Sequence, residues 1–150
     1  GGDSQGGKHA AWVKCLHRTQ PGELPATAQN WSYPLERDVL SPVALDRGLL
    51  YIADSGRKFH CVDAATGRAV WTHDIKGEVW ASPMVADGKV YLGTRSGDFY
   101  VFATGREKKV LMETTLGTPT SATVTPANGV LFISTAKDLY AVKQGAHSAP

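Results

Sequence analysis

Apolar residues in this chain fall into short runs rich in β-branched and aromatic side chains, broken by Gly-containing dipeptides, a pattern that predicts strands joined by tight hairpins. Residues 43–45, 49–53, 59–62 and 69–73 form one set of four runs, and residues 84–86, 90–93, 99–102 and 110–114 form a second. A third set, Val124, then 130–134, then 139–142, stops one strand short. Two-residue hairpin loops need positive φ, which Gly and Asn reach cheaply, so Asp87-Gly88 and Asn128-Gly129 are the strongest turn signals. Ser55-Gly56 and Ser96-Gly97 are expected to turn the second hairpin of each set, and Thr66-Gly67 and Thr104-Gly105 the third. The last set has Ala136-Lys137-Asp138 in place of a glycine turn. Upstream, residues 11–16 and a segment around Trp31-Ser32-Tyr33 read as two further strands, separated by a polar loop containing Pro21-Gly22 and Pro25.

The sets repeat with a period of forty. Trp31 and Trp71 stand 40 apart, as do Tyr51 and Tyr91, and His60, Tyr100 and Tyr140 fall at successive intervals of 40. Gly48, Gly88 and Gly129 follow at 40 and 41, and Ser41-Pro42 recurs as Ser82-Pro83, with Ser121-Ala122 in a similar place. Four short antiparallel strands in about 40 residues is the period of a β-propeller blade. A β-sandwich uses similar strands but requires no matched repeat at constant spacing. The expected fold is therefore all-β: a partial β-propeller of four-stranded antiparallel blades. Residues 9–40 would supply the last two strands of a preceding blade, 41–80 and 81–120 two full blades, 121–143 three strands of a further blade, and 1–8 and 144–150 mobile ends. An open arc of this kind shows apolar inter-blade surface at each end, to be covered by the remaining blades of a longer chain or by self-association.

At residues 61–71, Cys-Val-Asp-Ala-Ala-Thr-Gly-Arg-Ala-Val-Trp, the chain resembles the eleven-residue docking motif of quinoprotein-like (PQQ-like repeat) β-propellers, A-x-D-x-x-T-G-x-x-x-W, with Cys61 in place of the leading Ala. Residues 82–93 and 96–100 are similar to the same family's S-P-x-x-x-x-G-x-V-Y-x-G and G-x-x-y patterns, and the resemblance covers roughly residues 31–143. It implies blade-docking roles for Asp63, Thr66, Gly67 and Trp71, and for Trp31 in the earlier unit, where His17 replaces the Asp. The second repeat departs from the motif: residues 101–105 carry no Asp, and Leu111 stands 40 after Trp71, so that junction is expected to be weaker. The pattern most resembles exported bacterial propellers related to the outer-membrane assembly lipoprotein of this fold, and from that resemblance alone comes a periplasmic or secreted location.

Composition adds limits. The chain has 150 residues, 16 Lys+Arg against 14 Asp+Glu and a net charge of +2. With no basic run longer than Lys108-Lys109, the electrostatic footprint of a nucleic-acid binder is missing from the sequence. No apolar stretch approaches the 18 or so residues of a spanning helix. Residues 1–7 carry neither an initiator Met nor a signal-peptide core, so the chain reads as the interior of a longer gene product.

Candidate chemistry is sparse. The resemblance raises pyrroloquinoline quinone with calcium, as in the family's alcohol and sugar dehydrogenases, which use a vicinal cysteine pair, a Trp and a convergent set of oxygen ligands. Here Cys15 and Cys61 are far apart and read as buried reduced thiols in matching positions of consecutive blades. Neither catalytic, cofactor-binding nor metal-binding residues are therefore assigned, and no cofactor is expected. His9, His17, His60, His73 and His147 form no metal-type pair, and His60, in the place of Tyr100 and Tyr140, reads as an amphipathic strand residue. Gly67-Arg68, Gly88-Lys89 and Gly105-Arg106 read as turns, and residues 106–109 as a solvated hairpin flank. Trp80, Pro83 and Met84 precede or open a blade's inner strand, where Trp80 reads as packing beside the axis. The expected function is non-catalytic binding or scaffolding, with loops and edges presented to protein or polysaccharide partners. A wall-forming part of a quinone- and calcium-dependent dehydrogenase and a small-ligand sensor domain are the alternatives.

Overall fold

The computed structural model describes residues 11–17 and 25–143; the expected mobile ends, residues 1–8 and 144–150, lie outside the described residues. Strands β1 (Ala11–Leu16) and β2 (Gln29–Leu35) form a two-stranded first sheet, preceded at β2 by a 3-10 turn at Ala26–Ala28. The second sheet comprises β3 (Ala44–Asp46), β4 (Leu49–Ala53), β5 (Lys58–Asp63) and β6 (Ala69–Asp74). The third comprises β7 (Met84–Ala86), β8 (Lys89–Gly93), β9 (Asp98–Ala103) and β10 (Val110–Thr115). A three-stranded fourth sheet holds β11 (Thr125–Ala127), β12 (Val130–Ser134) and β13 (Leu139–Lys143). Every pairing is antiparallel between consecutive strands, so the molecule is all-β and forms part of a propeller.

Side chains alternate faces along a strand, and in the second and third sheets both faces are covered. On β4, Leu49, Tyr51 and Ala53 pack toward the third sheet, while Ile52 packs with Ala11 and Leu35 of the first. On β9, Tyr100 and Phe102 turn back to the second sheet and Phe99 and Val101 forward to Val124 and Ile133. Two-sided burial explains why these strands read as continuous apolar runs instead of alternating with polar residues. The short strands β3 and β7 approach each other across the sheet boundary, which makes them the inner, convergent edge of the arc. At the other edge β10 is exposed along its whole length.

Three hairpins between the first two strands of a sheet have positive φ at both central residues: Arg47 and Gly48 (44° and 77°), Asp87 and Gly88 (50° and 68°), Asn128 and Gly129 (50° and 74°). That is the type I′ signature, whose twist matches the flanking strands. The next turn corrects the sequence reading. In the third sheet Gly97 takes the left-handed position (φ 88°), but in the second sheet Arg57 takes it (φ 65°), one residue beyond the expected Ser55-Gly56. Gly56 instead lies where a Cβ would come within 2.7 Å of the Arg37 side chain. A side-chain oxygen ahead of each such turn accepts a backbone N–H at or just before the start of the following strand: Asp54 from Lys58 (2.9 Å), Thr94 from Asp98 (3.0 Å) and Thr135 from Asp138 (2.9 Å). Thr135 thus closes the glycine-free hairpin of the last sheet.

Left-handed backbone costs a non-glycine residue about 1–2 kcal/mol, against about 0.5–1 kcal/mol for glycine's extra chain entropy. Arg57→Gly is therefore expected to raise the unfolding free energy by about 0.5 kcal/mol. A urea midpoint equal to or below the parent's would contradict the strain at this turn.

Candidate functional site

The residues marked out by the sequence meet at the boundaries between sheets. Trp71, on β6, lies directly across the strand pair from Cys61 and reaches forward to the outer turn of the third sheet, where its indole Nε1 donates to Gly105 O (3.0 Å). The ring packs against Phe102 (5.8 Å between centroids), Phe59 (5.8 Å) and Tyr51 (6.0 Å). Tyr51 Oη accepts the N–H of Gly105 (3.0 Å), so both backbone groups of one residue in the third sheet are held by aromatic side chains of the second. Trp31 on β2 repeats the arrangement one sheet earlier, across from Cys15, with Nε1 donating to Ala64 O (3.0 Å).

Asp63 organises the turn between β5 and β6. Its Oδ1 accepts from the N–H groups of Ala65 (3.1 Å) and Thr66 (3.0 Å) and from the Thr66 hydroxyl (3.0 Å). Its Oδ2 accepts from Arg106 Nη1 of the third sheet at 2.8 Å. The guanidinium beside it and the Thr66 hydrogen bonds hold its carboxyl down at about 2. Gly67 completes the turn in the left-handed region (φ 70°), and a Cβ there would sit 2.6 Å from the Trp31 ring. A D-x-x-T-G sequence is thus needed twice over: to shape the turn, and to leave room for the indole of the preceding sheet.

Sequence reading missed the other half of this grip. Arg106 and Lys108, expected to be a solvated flank, reach back to the second sheet, Arg106 to Asp63 and Lys108 Nζ to Thr72 O (3.1 Å). Both cysteines are free; Cys15, expected to be buried, is only partly so because its two-stranded sheet leaves it half covered, whereas Cys61 is fully buried and desolvation pushes its thiol up to about 11. His60 lies on β5 and is buried (3% exposed), as is Tyr100 at the equivalent place in the next sheet. The His60 Nδ1 lies 3.0 Å from Tyr33 Oη of the first sheet and its Nε2 3.3 Å from Asp54 Oδ2, so both ring nitrogens have a polar partner. At the next junction the pair is inverted: His73 of the second sheet meets Tyr100 of the third edge-on at 5.9 Å. The only clue to this exchange lay in the period, since 33 and 73, and 60 and 100, are both 40 apart.

The third junction differs. Leu111, at the Trp71 position, is 44% exposed, and with Met112, Val101, Leu131, Ile133 and Val142 it lines an apolar cleft of about 760 Å³ between the third and fourth sheets. No group of three or more His, Cys, Asp or Glu side chains among the described residues could hold a metal ion. No described helix is long and apolar enough to cross a membrane.

Four-stranded sheets stacked face to face and tied by indole-to-turn hydrogen bonds at a period of forty define a β-propeller of PQQ-like repeats. Residues 22–145 match the family described as outer membrane protein assembly factor BamB, and the chain belongs to that family. In three dimensions it is similar to BamB from Moraxella catarrhalis, with a TM-score of 0.64 and 18% identity over 72% of this chain and 34% of that one. It is also similar to the quinohemoprotein alcohol dehydrogenase ADHIIG from Pseudomonas putida HK5, with a TM-score of 0.60 and 18% identity over 71% of this chain and 24% of that one. In sequence it is 33% identical over 112 residues to the quinohemoprotein alcohol dehydrogenase of Comamonas testosteroni, a match covering 65% of this chain and 16% of the enzyme. The chain thus spans about a third or less of these relatives' lengths.

Two substitutions separate the turn's conformation from the space it leaves. Gly67→Ala adds a clash with Trp31 to the left-handed strain and is expected to lower the unfolding free energy by about 2–5 kcal/mol. Gly88→Ala, where a Cβ meets nothing within 4 Å, is expected to lower it by about 1–2 kcal/mol. Equal losses in parallel urea titrations would mean that the Trp31 contact contributes nothing. Asp63 gives a pH signature. Its folded carboxyl titrates below the unfolded value of about 3.9, so its contribution is complete above that value and lost as pH falls toward about 2. The parent's urea midpoint should fall more steeply between about pH 5 and pH 2.5 than that of Asp63→Asn, and parallel slopes would count against the Arg106 pair.

Proposed function

We propose that this chain is a non-catalytic binding or scaffolding segment of a PQQ-like repeat propeller, presenting loops and sheet edges to a protein partner in an exported, periplasmic setting. In this reading Trp31, Asp63, Thr66, Gly67 and Trp71 are blade-docking residues, whose polar atoms are spent within the outer turn and on neighbouring sheets. The observation that carries it is the outer edge of the last two sheets. Val110, Leu111 and Met112 on β10 and Leu139 and Val142 on β13 are 39–69% exposed, a concentration of large apolar side chains that marks an interaction surface. Membership of a family described by outer membrane protein assembly supports a protein partner.

A second reading, part of the wall of a quinone- and calcium-dependent alcohol dehydrogenase, is favoured by the likeness to the Comamonas testosteroni enzyme. In that reading the quinone and calcium site is supplied mostly by blades outside these residues, and this segment contributes wall; Cys15 and Cys61, on different sheets, are not the vicinal pair of such a site.

Light scattering over a concentration series tests the apolar edge. The parent chain's mass should rise with concentration, and that of Leu111→Lys should stay at the monomer value; identical behaviour would remove the edge as a binding surface. Titration with pyrroloquinoline quinone in calcium, followed by alcohol-dependent dye reduction, tests the chemistry. No turnover is expected, and saturable quinone binding with turnover would overturn the scaffold reading.

A further inference from the structure

The cleft between the third and fourth sheets is built like the junction before it, with two rings taken out. At the second junction the Trp71 indole lies against Phe102 and Phe59, each at 5.8 Å between centroids, and against Tyr51 at 6.0 Å. One sheet later Tyr91 and Phe99 hold the places of Tyr51 and Phe59, and both line the cleft. Leu111 follows Trp71 by spacing, but by register its place is taken by Met112, which lies across from Val101 as Trp71 lies across from Cys61. Val142 stands for Phe102, paired with Leu131 as Phe102 is paired with Val90. An indole and a phenyl are thus exchanged for a thioether and an isopropyl group, while two of the rings that an indole touches remain.

The cleft measures about 760 Å³, within the range of roughly 300–1,000 Å³ that ligand pockets occupy. Met112 is 45% exposed and Val142 48%, so nothing in this chain covers them. The two charged residues of the lining, Lys89 and Asp87, are paired with each other at 3.0 Å. Walls of this kind complement an uncharged occupant, and the head group of a fatty acid would find no free cation there. Phe99 and Tyr91 favour a ring over an aliphatic group, and a methionine side chain adapts its shape to an inserted ring and gains sulfur–aromatic contact. The second junction shows, in the same molecule, that an indole fits against such a pair of rings.

We propose that this cleft receives the tryptophan side chain of a protein partner, which supplies from outside the indole that the third sheet lacks. The ring packs among Phe99, Tyr91, Met112 and Val142. This rests on the reading of the exposed outer edge as a protein-binding surface and adds the anchor that the partner carries, since buried aromatic anchors dominate the energetics of protein interfaces. The two readings fail separately: light scattering reports association of the chain with itself, whereas titration with a blocked amino acid reports the cleft alone.

The test is a fluorine NMR titration of a ring-fluorinated N-acetyl-tryptophanamide with the 150-residue chain, at a concentration where the chain is monomeric, in competition with N-acetyl-tryptophanamide, N-acetyl-leucinamide and laurate. Saturable broadening is expected, reversed by the unlabelled tryptophan derivative and by the leucine derivative only at about tenfold higher concentration or more. The double variant Met112→Trp/Val142→Phe refills the cleft with the chain's own rings; it is expected to melt above the parent and to bind about tenfold more weakly or not at all. Leu40→Ser, at an exposed residue outside the cleft, should bind as the parent does. Absence of saturable broadening, or competition by the leucine derivative or laurate equal to that of the tryptophan derivative, would overturn the proposal without any variant, leaving an unselective apolar surface or an acyl-chain site. Undiminished binding by a folded double variant would place the indole elsewhere and overturn it as well.

Discussion

The structure depends on the fact that no sheet here can cover its own faces. A single four-stranded sheet of short strands has two apolar sides and little between them, so its stability comes from its neighbours. Tyr51, Phe59, Trp71, Tyr100 and Phe102 make one continuous aromatic layer drawn from two sheets, and removing either sheet would expose it whole. The consequence is local: the second and third sheets, covered on both sides, hold most of the large fully buried side chains, whereas the fourth sheet has Ile133 buried, with Val124 from the connection leading into it.

Apolar contact is indifferent to sliding, and the docking residues supply what it lacks. Each indole Nε1 ends on one carbonyl of the next sheet's outer turn, and Asp63 holds its own turn in shape while pairing with Arg106 from the following one. Burying an indole N–H or a backbone carbonyl without a partner is costly, so register between sheets is set by the demand that each polar group find its match. The same residues that make the turn make the socket for the preceding tryptophan.

Much of this was legible in the sequence because the period of forty repeats chemistry as well as hydrophobicity. The type I′ turns at Asp87-Gly88 and Asn128-Gly129 follow from local backbone preference, and the strand positions follow from short apolar runs. What escaped depends on contacts across sheets. Nothing near Arg57 announces a left-handed arginine; the equivalence with Gly97 reveals it only once the turn is aligned one residue later. Arg106 and Lys108 look like surface charges because their partners, Asp63 and Thr72, lie 43 and 36 residues away. The polar partners of His60 are hidden for a related reason: Tyr33 and Asp54 come one from another sheet and one from a turn.

The exchange of tyrosine and histidine between successive junctions bears on how such arrays are assembled. Tyr33 faces His60 across one boundary and His73 faces Tyr100 across the next. Were the second sheet duplicated in place of the third, His73 would meet a second imidazole; were the third duplicated in place of the second, Tyr33 would meet a second phenol. Neither mismatch reproduces the native pair. Repeats that look interchangeable by period and shape are in this way individually addressed, and shuffling or copying a blade would leave a mismatched pair at a new seam.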